Sequence, residues 1–465
     1  MFTTIVGKTF LAEYNIRHNS SYTARAFFDD VLFKLFFDHK KYLMWAQNSP
    51  FVQGISKKKP FFEPAERLAN LAQFHEKISK GERDASIAIG YPASEVKEFA
   101  TTSGLVTDIE IPLTEEEIYL SWIGGTLSLG LAGGYALLFN HPAIAYATFE
   151  GWQVYRNFLN DTVLERLRPN QITTWNGQWL TYRLGKNYQE DFDFNRLNTA
   201  GVFSISSDLM EVNTIDWSKL FFSLSHHFPL QEITAYVFSL GQTNKTIGFI
   251  PFQLKSGRKV HEVYQKLFGE DNFKVNEQDF EALFGKHIKR ACELGNIGLQ
   301  ALEPKNLAKY YSNESDFKLL KPEIVRKKGE SDADFEKRSN DLQKKDQDNI
   351  TTFRTYKTWL IAMISKNKTE ISDYTRDIAS ALIQYRKGAS KRDRTNLLEQ
   401  KLFATRKKTE FLEALIEIVK DQTVEQEIVE KMNELRDRVH FMSQEDFGYF
   451  SLLLKFDFAY QERIS

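Results

Sequence analysis

"IYLSWIGGTLSLGLAGGYALLF" runs from Ile118 to Phe139 without a charged residue. Its reading decides the fold, because a stretch this long can cross a bilayer as a helix. If it does, the chain is a membrane protein. If it does not, the segment belongs to the core of a water-surrounded body. Five of its residues are Gly, and Ser and Thr interrupt it. Gly is a poor helix former and brings little apolar transfer energy. Glu115, Glu116 and Glu117 precede it, and no Lys or Arg stands close enough to set a topology. The segment therefore reads as a buried Gly-rich core element, with membrane insertion through 118–139 as the rival.

The chain around it has 465 residues, 42% hydrophobic and 26% charged, with a net charge of −1. That is an ordinary globular composition with room for two or three domains. Thirty-eight Phe and nineteen Tyr indicate large cores or broad contact surfaces. One cysteine, Cys292, excludes a disulfide within the chain and a Cys-pair zinc site. It fits a reducing cytoplasm, where a lone Cys is usually a buried apolar residue. "MFTTIVGKTFLAEYN" lacks the basic and apolar regions of a secretory signal.

Residues 1–50 read as strands and a short helix, the helix within "ARAFFDDVLFKLFFDHKKYLMWA". A second helix is expected from Pro64 or Ala65 to about Gly81. "HPAIAYATFEGWQVYRNFLNDTVLERL" reads as a helix with its aromatics inward. "AGVFSISSDLMEV", "ITAYVFSLGQTN" and "KTIGFIPFQL" read as strands, the last two joined by a turn from Gly241 to Lys245. "VHEVYQKLFGE" is a helix closed by Gly269. The expected fold is an α+β N-terminal body, residues 1–320.

Residues 321–350 are dense in charge and poor in apolar side chains, as a linker or solvated helix hairpin would be. Residues 351–465 read as a C-terminal α-helical bundle, with helices near 353–387, 394–420, 424–441 and 444–461. Short loops between long amphipathic helices imply antiparallel neighbours. Charge is segregated here. Residues 354–408 carry fourteen Lys or Arg against five Asp or Glu, a net of +9, and 409–465 carry six against thirteen, a net of −7. A bundle so divided can bind a polyanion with its first half, or its halves can attract each other.

Catalytic signatures are missing from the sequence. There is no G-x-x-x-x-G-K-[ST] and no H-E-x-x-H. Cys292 would be a nucleophile only beside a distant His, and a buried structural role is the expected one. His226 and His227, read on a strand, point to opposite faces and do not share an ion. No catalytic residue, metal or cofactor is expected.

The polar and basic clusters carry more. Lys57, Lys58 and Lys59 form a Lys loop ahead of a helix, suited to phosphate contacts. Arg168, Asn170 and Gln171 lead into Trp175-Asn176-Gly177-Gln178-Trp179. Arg, Asn and Gln read base edges with paired hydrogen bonds, and Trp stacks on bases. The structural alternative is a type I′ Asn-Gly hairpin turn with Trp packed on both strands. The two are compatible if the indoles fix the turn and Asn176 and Gln178 point outward. Lys245 adds a cation at the end of a hairpin. Arg386, Lys387, Lys391, Arg392 and Arg394 make the densest basic patch, extended by Arg406, Lys407 and Lys408. Such cations along an elongated face would track a nucleic-acid backbone.

"FEGWQVYRNFLND", "NQITTWNGQWLTY", "IGFIPFQL" and "VHEVYQKLFG", followed by a helical bundle, resemble the large subunit of type I CRISPR effector complexes (Cascade), of the I-B kind. The resemblance spans roughly residues 118–465 and includes no Cys-rich zinc motif, as in a branch attached to CRISPR-associated transposons. It implies a non-catalytic subunit that contacts the crRNA 5′ region and other Cascade subunits. It also implies PAM recognition in double-stranded target DNA, strand opening and a grip on the displaced single strand. A recruited helicase–nuclease or transposition adaptor would follow. The bundle would be similar to the small subunit, with Met363 as a conceivable internal start. A scaffold of another prokaryotic defence system is the alternative.

Overall fold

The computed structural model describes residues 1–44, 49–56, 58–82, 91–93, 112–186, 188–189, 201–206, 208–241, 245–306, 324–363, 368–388 and 391–464. It is an α+β body followed by a helical C-terminal region. Two compact units divide the chain: Met1–Gly257 with His287–Ala301, and Arg258–Lys286 with Leu302–Ser465. The division differs from the one expected at residues 320 and 350, since 258–286 fold with the C-terminal helices.

In the first unit the uncharged Ile118–Phe139 stretch is not one helix. Its first part belongs to a helix, Glu115–Gly125, and its remainder forms two strands, β1 (Leu129–Leu131) and β2 (Tyr135–Phe139). The Thr114 hydroxyl accepts from the Glu117 N–H while the Glu117 carboxylate accepts from the Thr114 N–H. That capping box starts the helix, and three acids sit in its positive first turn. Gly133 and Gly134, with φ of 94° and 79°, turn the chain between the strands. Among the described residues no helix is long and apolar enough to cross a membrane.

The N-terminal segment corrects an expectation. It is α1 (Phe2–His18), then α2 (Ala24–Phe27) running through a π-helical turn (Phe28–Phe33) into α3 (Lys34–Phe36). Its β-branched and aromatic residues favour strands only weakly. Val6, Phe10 and Tyr14, four residues apart, are all buried along one helical face. The next helix, α4 (Pro64–Ser79), starts with Pro at its first turn as expected. Counting the Glu115–Gly125 helix as α5, α1 and α5 cross backbone to backbone. A Cβ on Gly124 would lie 1.9 Å from the Thr3 carbonyl oxygen, and one on Gly7 1.9 Å from that of Leu120.

α6 (Pro142–Asn160) and α7 (Ile172–Arg183) pack side by side. A two-stranded ribbon follows, β3 (Phe203–Ile205) and β4 (Met210–Val212), then α8 (Trp217–His227). β5 (Glu232–Ser239) and β6 (Thr246–Gln253) complete an antiparallel sheet of order β1-β2-β5-β6. The core holds Trp122, Trp152, Trp175 and Tyr155, each fully buried.

The second unit begins within α9 (Lys255–Phe268), which Gly269 closes at φ 88°. It includes α10 (Glu270–Ala282), whereas α11 (Ile288–Glu293) belongs to the first unit. The segment expected as a linker instead enters α12 (Asp332–Met363), which passes through residue 350 unbroken. No Gly or Pro interrupts those residues, and the Ser331 hydroxyl caps the start by accepting from the Asp334 N–H. Then come α13 (Lys368–Lys387), α14 (Lys391–Asn396) with a π-helical turn (Leu397–Leu402), α15 (Lys408–Lys420), α16 (Gln426–Phe441) and α17 (Gln444–Ile464). Ile378, Leu382, Leu398, Phe411, Leu415, Met432, Leu435, Phe447 and Leu454 form their common core.

Candidate nucleic-acid interface

Helical spacing brings three rows of side chains to one groove of the second unit. α12 supplies Phe353, Arg354 and Lys357, α13 supplies Arg376, Ser380, Gln384 and Lys387, and α17 supplies Asp457, Tyr460 and Gln461. Each row follows the three- and four-residue steps that share one helix face. The groove has a volume of about 1150 Å³. Phe268, from α9, lies under Arg354, whose guanidinium sits 5.4 Å from the ring centroid.

At its floor Lys357 and Asp457 form an ion pair, their side chains 5% and 3% exposed. Thr375 donates a 2.6 Å hydrogen bond to the other Asp457 oxygen. Burial pushes the Lys357 ammonium below its ordinary value, and the Asp457 charge partly offsets this. The pair is therefore committed to structure. Above it, Tyr460 stacks on Phe353 at 5.0 Å and 14°. Tyr460 is 39% exposed and lines the same groove as the exposed cations Arg376 and Lys387. Arg376 also makes a solvent-side pair with Asp373 at 3.4 Å, a contact of small energy. A ring platform flanked by cations is what single-stranded nucleic acid needs.

The Trp-Asn-Gly-Gln-Trp stretch is no hairpin turn. It lies inside α7, with Trp175 and Trp179 buried. Trp175 Nε1 donates to the Gly151 carbonyl and Trp179 Nε1 to that of Ala147. Asn176 is fully buried and donates through Nδ2 to the carbonyls of Thr126 (2.8 Å) and Ser128 (3.0 Å). A Cβ on Gly177 would lie 2.4 Å from the Gly130 oxygen, which is why glycine stands there. Gln178 donates to the Asn213 carbonyl at 2.7 Å, and the Gln171 side-chain oxygen accepts from the Val212 N–H. Asn170 takes a left-handed conformation, φ 58°, and its N–H donates to the Tyr42 carbonyl. The expectation that Asn176 and Gln178 point outward is thus corrected: Asn176 fixes the loop between the Glu115–Gly125 helix and β1, and Gln178 the segment that follows β4.

The basic candidates divide. Lys387 lines the groove. Arg394 does not: it is 4% exposed, paired with Asp421, bonded to the Tyr385 carbonyl and seated on the Tyr385 ring. Arg386 pairs with Glu462 over the Phe458 ring. Lys408 caps the end of α16 through the carbonyls of His440 and Met442. Lys407 pairs with Glu410, Lys59 with Glu66, and Arg168 with Glu211. Lys58, Lys245, Arg392 and Arg406 are exposed, the Arg406 carbonyl accepting from Gln444. Lys57 and the Lys391 side chain lie outside the described residues.

His226 and His227 end helix α8 and do not lie on a strand. Cys292 is buried on α11 and its thiol is pushed up to about 11 by desolvation, as a structural cysteine should be. Sequence reasoning missed Arg354, Arg376, Phe353 and Tyr460. The signal was the 376-380-384-387 spacing on one face of α13, which counting of local charge density passes over. No family model, curated protein or solved structure matches the chain.

Proposed function

We propose that the chain is a non-catalytic nucleic-acid-binding protein whose C-terminal helices hold single-stranded DNA or RNA. The observation that carries this is the groove in which Arg354, Arg376 and Lys387 flank the Tyr460–Phe353 platform. Cations provide the salt-sensitive grip on phosphates, and the ring accepts any base. With the sequence resemblance, the reading extends to the large subunit of an RNA-guided DNA-surveillance complex. There the groove would take the displaced strand, while crRNA, other Cascade subunits and a recruited helicase–nuclease or transposition adaptor would be its partners. PAM reading is then a task for surface side chains, not for buried Asn176.

Binding of a fluorescent single-stranded oligonucleotide across a salt series tests the groove. Replacing Arg354, Arg376 and Lys387 together with Ala is expected to lower the salt slope by about 2, at roughly 0.7 per lost phosphate contact. Tyr460→Ala is expected to weaken binding by about 1–3 kcal/mol with the slope kept. An unchanged slope in the triple variant removes the groove from the reading and favours a scaffold that binds protein only. A CRISPR array and a repeat-binding backbone gene beside this gene would support the finer assignment.

A further inference from the structure

Helix α15 carries more apolar residues than its place in the core uses. Seven of its thirteen residues are apolar. Phe411, Ala414, Leu415 and Ile418 face inward and are buried. Leu412, Ile416 and Val419 follow at steps of four and three, so they form a second line along the helix. Ile416 is 50% exposed and Val419 42%, with Leu412 half-buried in the same line. Lys408 donates to the carbonyls of His440 and Met442, which holds Phe441, 86% exposed, at the first turn of α15. A surface helix confines its apolar residues to the face it buries. A further apolar line that meets water marks a surface for another protein to cover.

The charges along its edge indicate what covers it. Glu413 and Lys420 are exposed, seven residues apart on the same side of the line. Among the described residues neither side chain has an ion pair or a hydrogen bond. The other two acids of α15, Glu410 and Glu417, pair with Lys407 and Lys401. The free acid and the free base lie almost symmetrically about Ile416. A second α15 laid antiparallel across the line, centred on Ile416, therefore sets Glu413 against the partner's Lys420, and Lys420 against the partner's Glu413. It also sets Leu412 against the partner's Val419 and the two Ile416 side chains against each other. Every contact is made twice, as a two-fold axis requires. Edge charges of opposite sign fix the register and orientation of paired helices. A parallel pairing would set Glu413 against the partner's Glu413, which like charges oppose.

We infer that the outer line of α15 is a self-association surface, on which two copies of the chain pair antiparallel about a two-fold axis at Ile416. No residue of the groove lies on α15, so this pairing stands or falls separately from the nucleic-acid reading. A contact built on one helix from each copy is small, below about 1,200 Å². The dimer is therefore expected to be reversible and concentration-dependent.

Sedimentation velocity of the full-length chain, over a concentration series up to its solubility limit, tests the pairing. The weight-average mass is expected to rise with concentration from one chain toward two. Ile416→Glu places a charge in the apolar centre and is expected to raise the dimer dissociation constant at least about tenfold. Its thermal melt is expected to match that of the native chain, because Ile416 is half exposed. Glu413→Lys and Lys420→Glu are each expected to weaken the dimer about threefold or more, since symmetry makes each change act twice. The double exchange, Glu413→Lys with Lys420→Glu, re-forms both pairs and is expected to restore the dimer. Mixing the two single variants is expected to do the same. A monomer at every concentration overturns the inference and assigns the line to a protein of another sequence. A dimer that survives Ile416→Glu also overturns it, since the contact then lies elsewhere. A dimer that the double exchange fails to restore overturns the antiparallel pairing.

Discussion

Asn176 has no exposed surface, and two backbone carbonyls depend on its amide. Asn176→Ala removes both donors in a place water does not reach. The expected loss is about 3 kcal/mol, read from urea unfolding. His39 offers a pH test. Burial, reinforced by the nearby Arg156 charge, lowers its imidazole from the ordinary value to about 4. The folded state therefore prefers neutral His39. Stability from this group is full above about 6.5 and is lost as pH falls toward 4, where the unfolded chain binds the proton more readily. His39→Gln is expected to flatten that acid limb in urea midpoints measured between pH 4 and 7, while a limb unchanged by the substitution would assign it to other groups.

At the scale of elements, glycine explains the stretch that first resembled a membrane span. Gly124 and Gly7 let α5 and α1 cross with no side chain between them. Gly124→Ala puts a methyl where the Thr3 carbonyl already is, and backbone cannot yield as a flexible side chain does. The expected cost is about 3 kcal/mol or more by chemical denaturation, whereas Gly134→Ala, which meets no atom within 4 Å, should suffer only from its positive φ. The same logic orders α6 and α7. Gly151 leaves room for the Trp179 ring, and both indoles donate across to α6. An Asn-Gly pair signals a hairpin in isolation, but here tertiary contacts satisfy Asn and require Gly, so the helix wins.

Over the whole second unit, the segregated charges answer one another. Arg386 meets Glu462, Arg394 meets Asp421 and Lys401 meets Glu417. The basic half is thus partly consumed by the acidic half, and the groove cations are what α12 and α13 add. A chain starting at Met363 would lose Phe353, Arg354 and Lys357, all on α12, yet keep the contiguous core from Ile378 to Phe458. Circular dichroism of that fragment is expected to show a cooperative helical melt, with single-strand binding reduced to the level of the triple groove variant. A fragment that binds as well as the full chain would place the site outside the groove.

The sequence by itself determined those elements whose periodicity and punctuation are local. Pro64, Gly269, the β5–β6 strands, α16 and α17 were legible because local periodicity and turn residues govern them. Lys387 was legible as a surface cation for the same reason. Tertiary structure alone decided the rest. Burial turned the N-terminal residues into helices and drew Asn176 and Arg394 inside, and it anchored the second half of α12, from Thr351 on. It also gathered Arg354, Arg376, Lys387 and Tyr460 from three helices into one groove. Local signals fix what a segment can form, but which of its faces is covered depends on partners distant in sequence. A side chain's availability to a ligand is set by that covering.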